Sequence, residues 1–311
     1  MRISVVVPSY RRPAELDRCL AALRRQERPA DELIVVLRDS DELSATHAEL
    51  SEVIVTRVTE PGVLAAMIVG AERSTGDLIA FTDDDAAPHP DWLARIEQAL
   101  SADASAAGIG GRDQLFDPDG SQRATTLTHS VGQLSPVGRM TGNHHRGQGG
   151  LRRVDVLKGV NAAYRRADLA LPLGLRGQGA QVHFEVALGC HVSRSGRHLL
   201  YDPAILVDHH PASRLDADAR DDSPPDAVAD AAFNLTAAIS VLGPLRLLLR
   251  LAYALVVGDL AQPGLLRALL ALLSGDRRSL RRLGPSLRGN LAAAGWWLRG
   301  GRLSFVSPPP R

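Results

Sequence analysis

Apolar positions in the first hundred residues fall into short dense runs separated by amphipathic stretches. Ile3-Ser4-Val5-Val6-Val7 is almost continuous in branched residues, the pattern of a strand covered on both faces, and it ends in the turn Pro8-Ser9. Leu16, Leu20 and Leu23 then recur at helical spacing. Glu32 to Leu37 reads as a second strand with Asp39 just past its end, and Val53 to Thr56 as a third. A Pro61-Gly62 turn leads into an apolar helix from Val63 to Ala71, and Leu78 to Thr82 forms a fourth strand. Strands alternating with helices imply βαβ units, right-handed crossovers and a mostly parallel sheet flanked by helices. No Gly-x-Gly-x-x-Gly follows the first strand, which disfavours a dinucleotide-binding domain. Gly62, Gly70 and the segment His144 to Gly150 read as turns or a mobile loop.

The fourth run delivers Asp83-Asp84-Asp85 at a strand end. Three adjacent carboxylates repel one another unless a cation shares the site, and a divalent metal is the usual solution. Ligands of open α/β sheets bind beyond the carboxyl ends of the strands, where this triplet is expected. The alternative reading is a solvated acidic turn before the helix that begins near Pro90.

Taken together, the motifs resemble the family 2 glycosyltransferases of GT-A fold, whose sheet is Rossmann-like. The residues that carry the resemblance are Pro8-Ser9-Tyr10, Asp39, Phe81 to Asp85 followed by Pro90-Asp91-Trp92-Leu93, Lys158 to Arg166 with its Gly159-Val160-Asn161 core, and Tyr201-Asp202-Pro203 running to Val207-Asp208-His209. They span roughly residues 1–215, the expected catalytic domain. The resemblance implies a nucleotide-diphosphate sugar donor, with its base near Pro8, Ser9, Tyr10 and Asp39 and its ribose at Asp84. It implies Mn²⁺ or Mg²⁺ on Asp85, with Asp83 supporting either role and His209 completing the metal or diphosphate site. His209-His210 reads alternatively as a surface pair in a loop. The metal would act as a Lewis acid on the leaving diphosphate. An inverting transfer to an acceptor hydroxyl, of a glycan, lipid-linked or other acceptor, also needs a general base. The family carries a Glu-Asp pair eleven residues before a glycine, and here Glu185 stands eleven residues before Gly196. Glu185 is the candidate base and Asp208 its rival. Two positions depart from the family pattern: Phe184 replaces the first acid of the pair, and Met67 and Ile68 replace a polar pair. A catalytically lapsed nucleotide-sugar or partner binder and a metal-dependent nucleotidyltransferase are the competing readings; the latter usually wants a glycine-rich phosphate loop, which Pro8 to Arg12 lacks.

Charge divides the chain. From Gly243 onward eleven arginines face only Asp259 and Asp276, giving +9 and leaving −8 for the rest of a chain whose total is +1. The same region is leucine-rich, but its longest uncharged stretch, Ala231 to Leu245, is 15 residues. That is short of the ~20 apolar residues a spanning helix needs. Residues 225–300 therefore read as an apolar, arginine-rich helical appendage that binds an anionic membrane surface or packs on the catalytic domain. Arg246 and Arg250, four apart, are expected on the outer face of an interfacial helix, with Arg277, Arg278, Arg281 and Arg282 as a lipid-facing cluster. Few aromatics accompany these arginines, which argues against nucleic-acid binding. Cys19 and Cys190 fit neither a disulfide framework nor a zinc pattern, and the first strand begins at the second residue. A cytoplasmic protein, peripheral on the inner face of the cell membrane, is the expected setting.

Overall fold

The computed structural model describes residues 1–47, 50–177, 181–212 and 224–310; the expected domain boundary at residue 215 lies outside the described residues. In chain order come β1 (Ile3–Ser9), α1 (Pro13–Arg24), β2 (Glu32–Arg38), α2 (Glu42–His47), β3 (Ile54–Val58) and α3 (Val63–Arg73). Next are β4 (Leu78–Phe81), β5 (Ala86–Pro88), α4 (Trp92–Ala102), β6 (Ala106–Leu115), β7 (Gln133–Leu134), β8 (Met140–Thr141) and β9 (Arg152–Val154). They are followed by β10 (Ala162–Arg165), β11 (Leu171–Leu173), α5 (Phe184–Arg194) and β12 (His198–His209). The remaining described elements are α6 (Pro225–Ser240), α7 (Pro244–Val256), α8 (Leu265–Ser274), α9 (Arg277–Leu298) and β13 (Ser304–Val306).

The main sheet runs β3-β2-β1-β4-β10-β6-β12-β5, with β9 also on β12. The pairs β1–β2, β1–β4, β2–β3 and β6–β12 are parallel, while β10 enters antiparallel between β4 and β6. Its two faces explain the dense apolar runs. Val5 and Val7 of β1 pack with Leu16, Leu20, Trp92 and Ile96 on one side, and Val6 packs with Leu64, Met67 and Leu188 on the other. Strand order reverses between β1 and β4, so a crevice opens at their carboxyl ends. Met67, where the family pattern suggested a polar residue, is 2% exposed and belongs to this core.

Gly70 corrects a reading made from composition: it lies inside α3, not in a turn. A Cβ there would come within 2.3 Å of Val6 Cγ1, so the glycine lets α3 press onto β1.

The helical appendage packs on the sheet domain through α6. Leu235, Ala238 and Ile239 of α6 meet Val186, Ala187 and Cys190 of α5, and α6 also packs on α9, where Phe233 and Trp296 meet at a ring separation of 5.6 Å. Helix α7 is amphipathic in the sense opposite to that expected. Arg250 is 1% exposed and turns inward with Leu247 and Ala254, and Arg246 donates to the Ser135 carbonyl at 3.0 Å. The leucines take the outside. Tertiary packing overrides the solvation preference of arginine here because Arg250 finds Thr236 Oγ1 at 3.3 Å and Gln262 Oε1 at 2.8 Å inside.

Candidate active site

At the carboxyl ends of β1 and β4, a cavity of about 480 Å³ is lined by Pro8, Ser9, Tyr10 and the Asp83-Asp84-Asp85 triplet. Its far wall carries Lys158, Glu185 and His209. Eight of the nine expected site residues thus converge from four separate segments. Asp39 is the ninth and does not line the cavity. Its Oδ2 accepts from Thr59 Oγ1 at 2.9 Å, while its neighbour Arg38 lines the wall with its guanidinium 4.0 Å from the Tyr10 ring centroid. The rival base Asp208 also lies off the cavity, with Oδ1 3.0 Å from His89 Nε2 and 3.3 Å from Gln114 Nε2.

The triplet is held from both strands. Asp84 is 3% exposed; its Oδ2 accepts from Ser9 Oγ at 2.8 Å and its Oδ1 from Arg12 Nη1 at 3.0 Å. Burial raises this carboxyl to about 7 against the pull of Arg12, and the adjacent charge of Asp85 adds to the rise. Asp84 therefore ties β4 to β1, and a ribose contact would require one of these bonds to be exchanged. Asp85 Oδ2 accepts from the Ala212 amide at 2.8 Å. Burial alone would raise Asp85, but His209, that amide and Arg12 hold it below the ordinary carboxylate range.

His209 is no surface residue. It closes β12, pairs with Ala86 in the sheet and is 2% exposed. Its Nδ1 lies 3.3 Å from Asp113 Oδ2 on β6, and Lys158 Nζ donates to the same oxygen. Burial would lower the imidazole, but Asp113 and Asp85 outweigh it and lift it to about 9. Asp113, which burial would raise, is held at about 2 by His209 and Lys158.

Among the buried atoms here that lack hydrogen-bond partners are Asp85 Oδ1 and His209 Nε2. They stand 3.4 Å apart, too poorly aligned for a hydrogen bond between them. With a carboxylate oxygen of Asp83 they form a set whose ligand atoms all lie within 4.8 Å of one another. Buried polar atoms without partners are costly. Two hard oxygens and an imidazole nitrogen around one point fit a divalent cation such as Mn²⁺ or Mg²⁺. The Asp113 contact to the other ring nitrogen is the partner a metal-bound histidine needs to keep its Nε2 lone pair forward.

Glu185 opens α5 and is half-buried on the cavity wall. Burial raises its carboxyl to about 7; its own amide and Gly159 pull it down, Asp83 pushes it up and Lys158 opposes that push. Gly159 keeps the space in front of it open, since a Cβ there would sit 3.9 Å from Glu185 Oε1 and 3.3 Å from the Phe184 ring. Phe184, in place of the first acid of the pair, belongs to the core. Asn161 is scaffold: its Oδ1 accepts from Trp92 Nε1 at 2.8 Å, and its amide donates to the Ile205 carbonyl at 2.9 Å. Sequence reasoning missed Asp113 and the Arg12–Asp84 bond. Asp113 is a lone acid in a strand and gives no local signal, whereas Arg12 stands beside a motif already singled out.

Comparison with known proteins agrees with this architecture. The chain is 27% identical over 130 residues to "Glycosyltransferase AglE" of Haloferax volcanii, a match covering 39% of this chain and 42% of that protein. The chain thus spans less than half the length of that curated relative. Among solved structures, the mannosyltransferase PcManGT of Pyrobaculum calidifontis, in complex with GDP-Man and Mn²⁺, superposes with a TM-score of 0.51 at 18% identity, covering 94% of this chain and 86% of that one. GalNAc-T7, crystallised with UDP, GalNAc and Mn²⁺, gives 0.55 at 16% identity, covering 77% and 48%. Both share the GT-A fold. The model of glycosyl transferase family 2 matches residues 4–170, more than half of the chain. With the crevice at the β1–β4 reversal and the acidic triplet inside it, the protein is a member of glycosyl transferase family 2.

Proposed function

We propose that the protein is an inverting, metal-dependent glycosyltransferase that moves a sugar from a nucleotide-diphosphate donor to an acceptor hydroxyl of a cell-envelope glycan, glycolipid or related glycoconjugate. One observation carries the reading: the Asp83–Asp85–His209 cluster and Glu185 share a single cavity. The nucleotide lies along Pro8, Ser9 and Tyr10, with the Arg38–Tyr10 stack as its wall. Asp85, His209 and Asp83 hold Mn²⁺ or Mg²⁺, and the bound ion supplies charge neutralisation for the departing diphosphate. The titles of the two structural neighbours, which name nucleotide or nucleotide-sugar ligands and Mn²⁺, support this choice of donor and metal.

Glu185 takes the acceptor hydroxyl proton as that oxygen attacks the anomeric carbon. The bond from the sugar to the diphosphate breaks on the opposite side, so configuration inverts. A carboxyl raised to about 7 is matched to this task near neutral pH. The setting is the inner face of the cell membrane, with peripheral attachment; among the described residues no helix is long and apolar enough to cross a bilayer.

Thermal shift of the pure protein with a panel of nucleoside diphosphates, with and without Mn²⁺, tests the reading. One diphosphate should stabilise the protein only with the metal, and Asp85→Ala should remove that gain, whereas Asp119→Ala, in an exposed turn, should keep it. A response that is the same in chelator would sink the metal assignment.

A further inference from the structure

Helices α7 and α8 with their connection expose leucine on a scale found nowhere else among the described residues. Among the described residues, twelve of the twenty-one exposed large hydrophobic side chains lie between Leu245 and Leu273. Leu248 is 64% exposed, Leu260 68%, Leu269 54%, Leu272 65% and Leu273 80%. The buried faces of the two helices are narrow, Leu247, Arg250 and Ala254 on α7 and Ala268 and Ala271 on α8. Water-exposed apolar surface of this density marks an interaction site.

Charge selects the partner. Four residues after Leu273, α9 opens with Arg277, Arg278, Arg281 and Arg282, none of which forms an ion pair among the described residues. Cations at a helix N-terminus oppose its dipole, so helix stability does not account for them. Between Gly243 and Leu298 the acids are Asp259 and Asp276, and both are engaged locally. Asp276 accepts from the Arg278 and Ser279 amides, and Asp259 from the Ala261 and Gln262 amides. The face thus has leucines and cations and no anionic complement of its own. A second copy would meet arginine with arginine, whereas a lipid bilayer with anionic headgroups satisfies both features.

We infer that the outer face of α7 and α8, with the arginines that open α9, docks on an anionic lipid bilayer. The helices lie in the interface with their leucines below the headgroups. The inner side of α7 is fastened to two walls of the cavity. Arg250 bonds Gln262, whose side-chain amide lies 3.3 Å from the ring of His183, the cavity residue just before Phe184 and Glu185. Arg246 holds the turn after β7, which leads to the cavity residue Met140. Docking therefore brings the cavity to the membrane surface, where lipid-linked acceptors reside. This last step rests on the glycosyltransfer reading, and the docking does not.

Cosedimentation of the full chain with vesicles of phosphatidylcholine, alone or mixed with phosphatidylglycerol, tests the inference, with light scattering of the free protein alongside. Binding to mixed vesicles at low ionic strength should be at least roughly tenfold stronger than to neutral ones and should weaken with salt. Combining Leu248→Glu, Leu269→Glu and Leu273→Glu should lower partitioning by about tenfold or more. Because these positions are exposed, thermal melting and Mn²⁺-dependent diphosphate binding should hold. Combining Arg277→Gln, Arg278→Gln, Arg281→Gln and Arg282→Gln should erase the preference for anionic lipid. No sedimentation with mixed vesicles at low salt overturns the inference. So does a dimer that the leucine substitutions disperse, which would assign the face to a second copy. Diphosphate binding in lipid-free buffer is read separately, so failure of the donor reading and failure of docking are distinguishable.

Discussion

The cavity and the α7–α8 face depart from ordinary solvation in opposite directions. The cavity buries charge: Asp84, Asp85, Asp113 and His209 are each no more than 6% exposed. The helical face exposes leucine instead, up to 80% at Leu273. Neither arrangement serves stability. Buried carboxylates cost desolvation that their partners only partly offset, and exposed leucines forgo the burial that drives folding. The contrast bears on where function sits, because each region is incomplete in a way that fits the complement proposed for it, a cation for one and an anionic lipid surface for the other.

The largest effect that can break the comparison lies at Glu185. Glu185→Gln keeps the shape but cannot accept a proton, so transfer should fall by ~10²–10⁴-fold with donor affinity nearly unchanged. Turnover close to the parent's would mean that the base lies elsewhere. The pH profile is a linked check. A base must be deprotonated to act, so with its carboxyl raised to about 7 the rate should climb as pH rises to about 7 and level above it. The Gln variant should lack that rising limb.

Asp113 sharpens the cavity side. Asp113→Asn weakens the hold on His209 Nδ1 without touching the ligand set, so Mn²⁺ affinity should drop by ~10–100-fold by calorimetry. The fold should survive, since Lys158 can still donate to the amide oxygen. Unchanged affinity would reduce Asp113 to a partner of Lys158 alone. The smallest effect belongs to the other region. Leu248→Ser and Leu273→Ser should each shift unfolding free energy by less than about 0.5 kcal/mol, because those side chains are already in water. A loss of ~2 kcal/mol or more in chemical denaturation would show that the face is covered within the free protein.

Much of the cavity was legible in the chain because its signals are local. The triplet Asp83 to Asp85 ends an apolar run, Pro8-Ser9-Tyr10 ends another, and Glu185 precedes Gly196 at a fixed interval. Each sits at a strand end or a helix start, so a strand-by-strand reading places them near one another. Asp113 was illegible because its meaning is a contact across the sheet. It meets His209 only because β6 and β12 pair in register, 96 residues apart in sequence. Asp39, expected beside the donor's base, lies off the cavity wall for a related reason: a position after a strand does not say which way the side chain leaves, and here it accepts from Thr59.

By itself the sequence determined the alternating strands and helices, the covered sheet and the acidic strand end, since these follow from the period of apolar residues and from like-charge repulsion. It determined also that the tail is basic and leucine-rich. Only the tertiary structure decided which face of α7 turns inward. A helix that carries both leucine and arginine can bury either, and the outcome depends on whether the arginine finds acceptors inside. Thr236 on α6 and Gln262 before α8 supply them to Arg250. They lie 14 and 12 residues away, on different elements, and no local pattern brings them together. That is why the leucines were left outside.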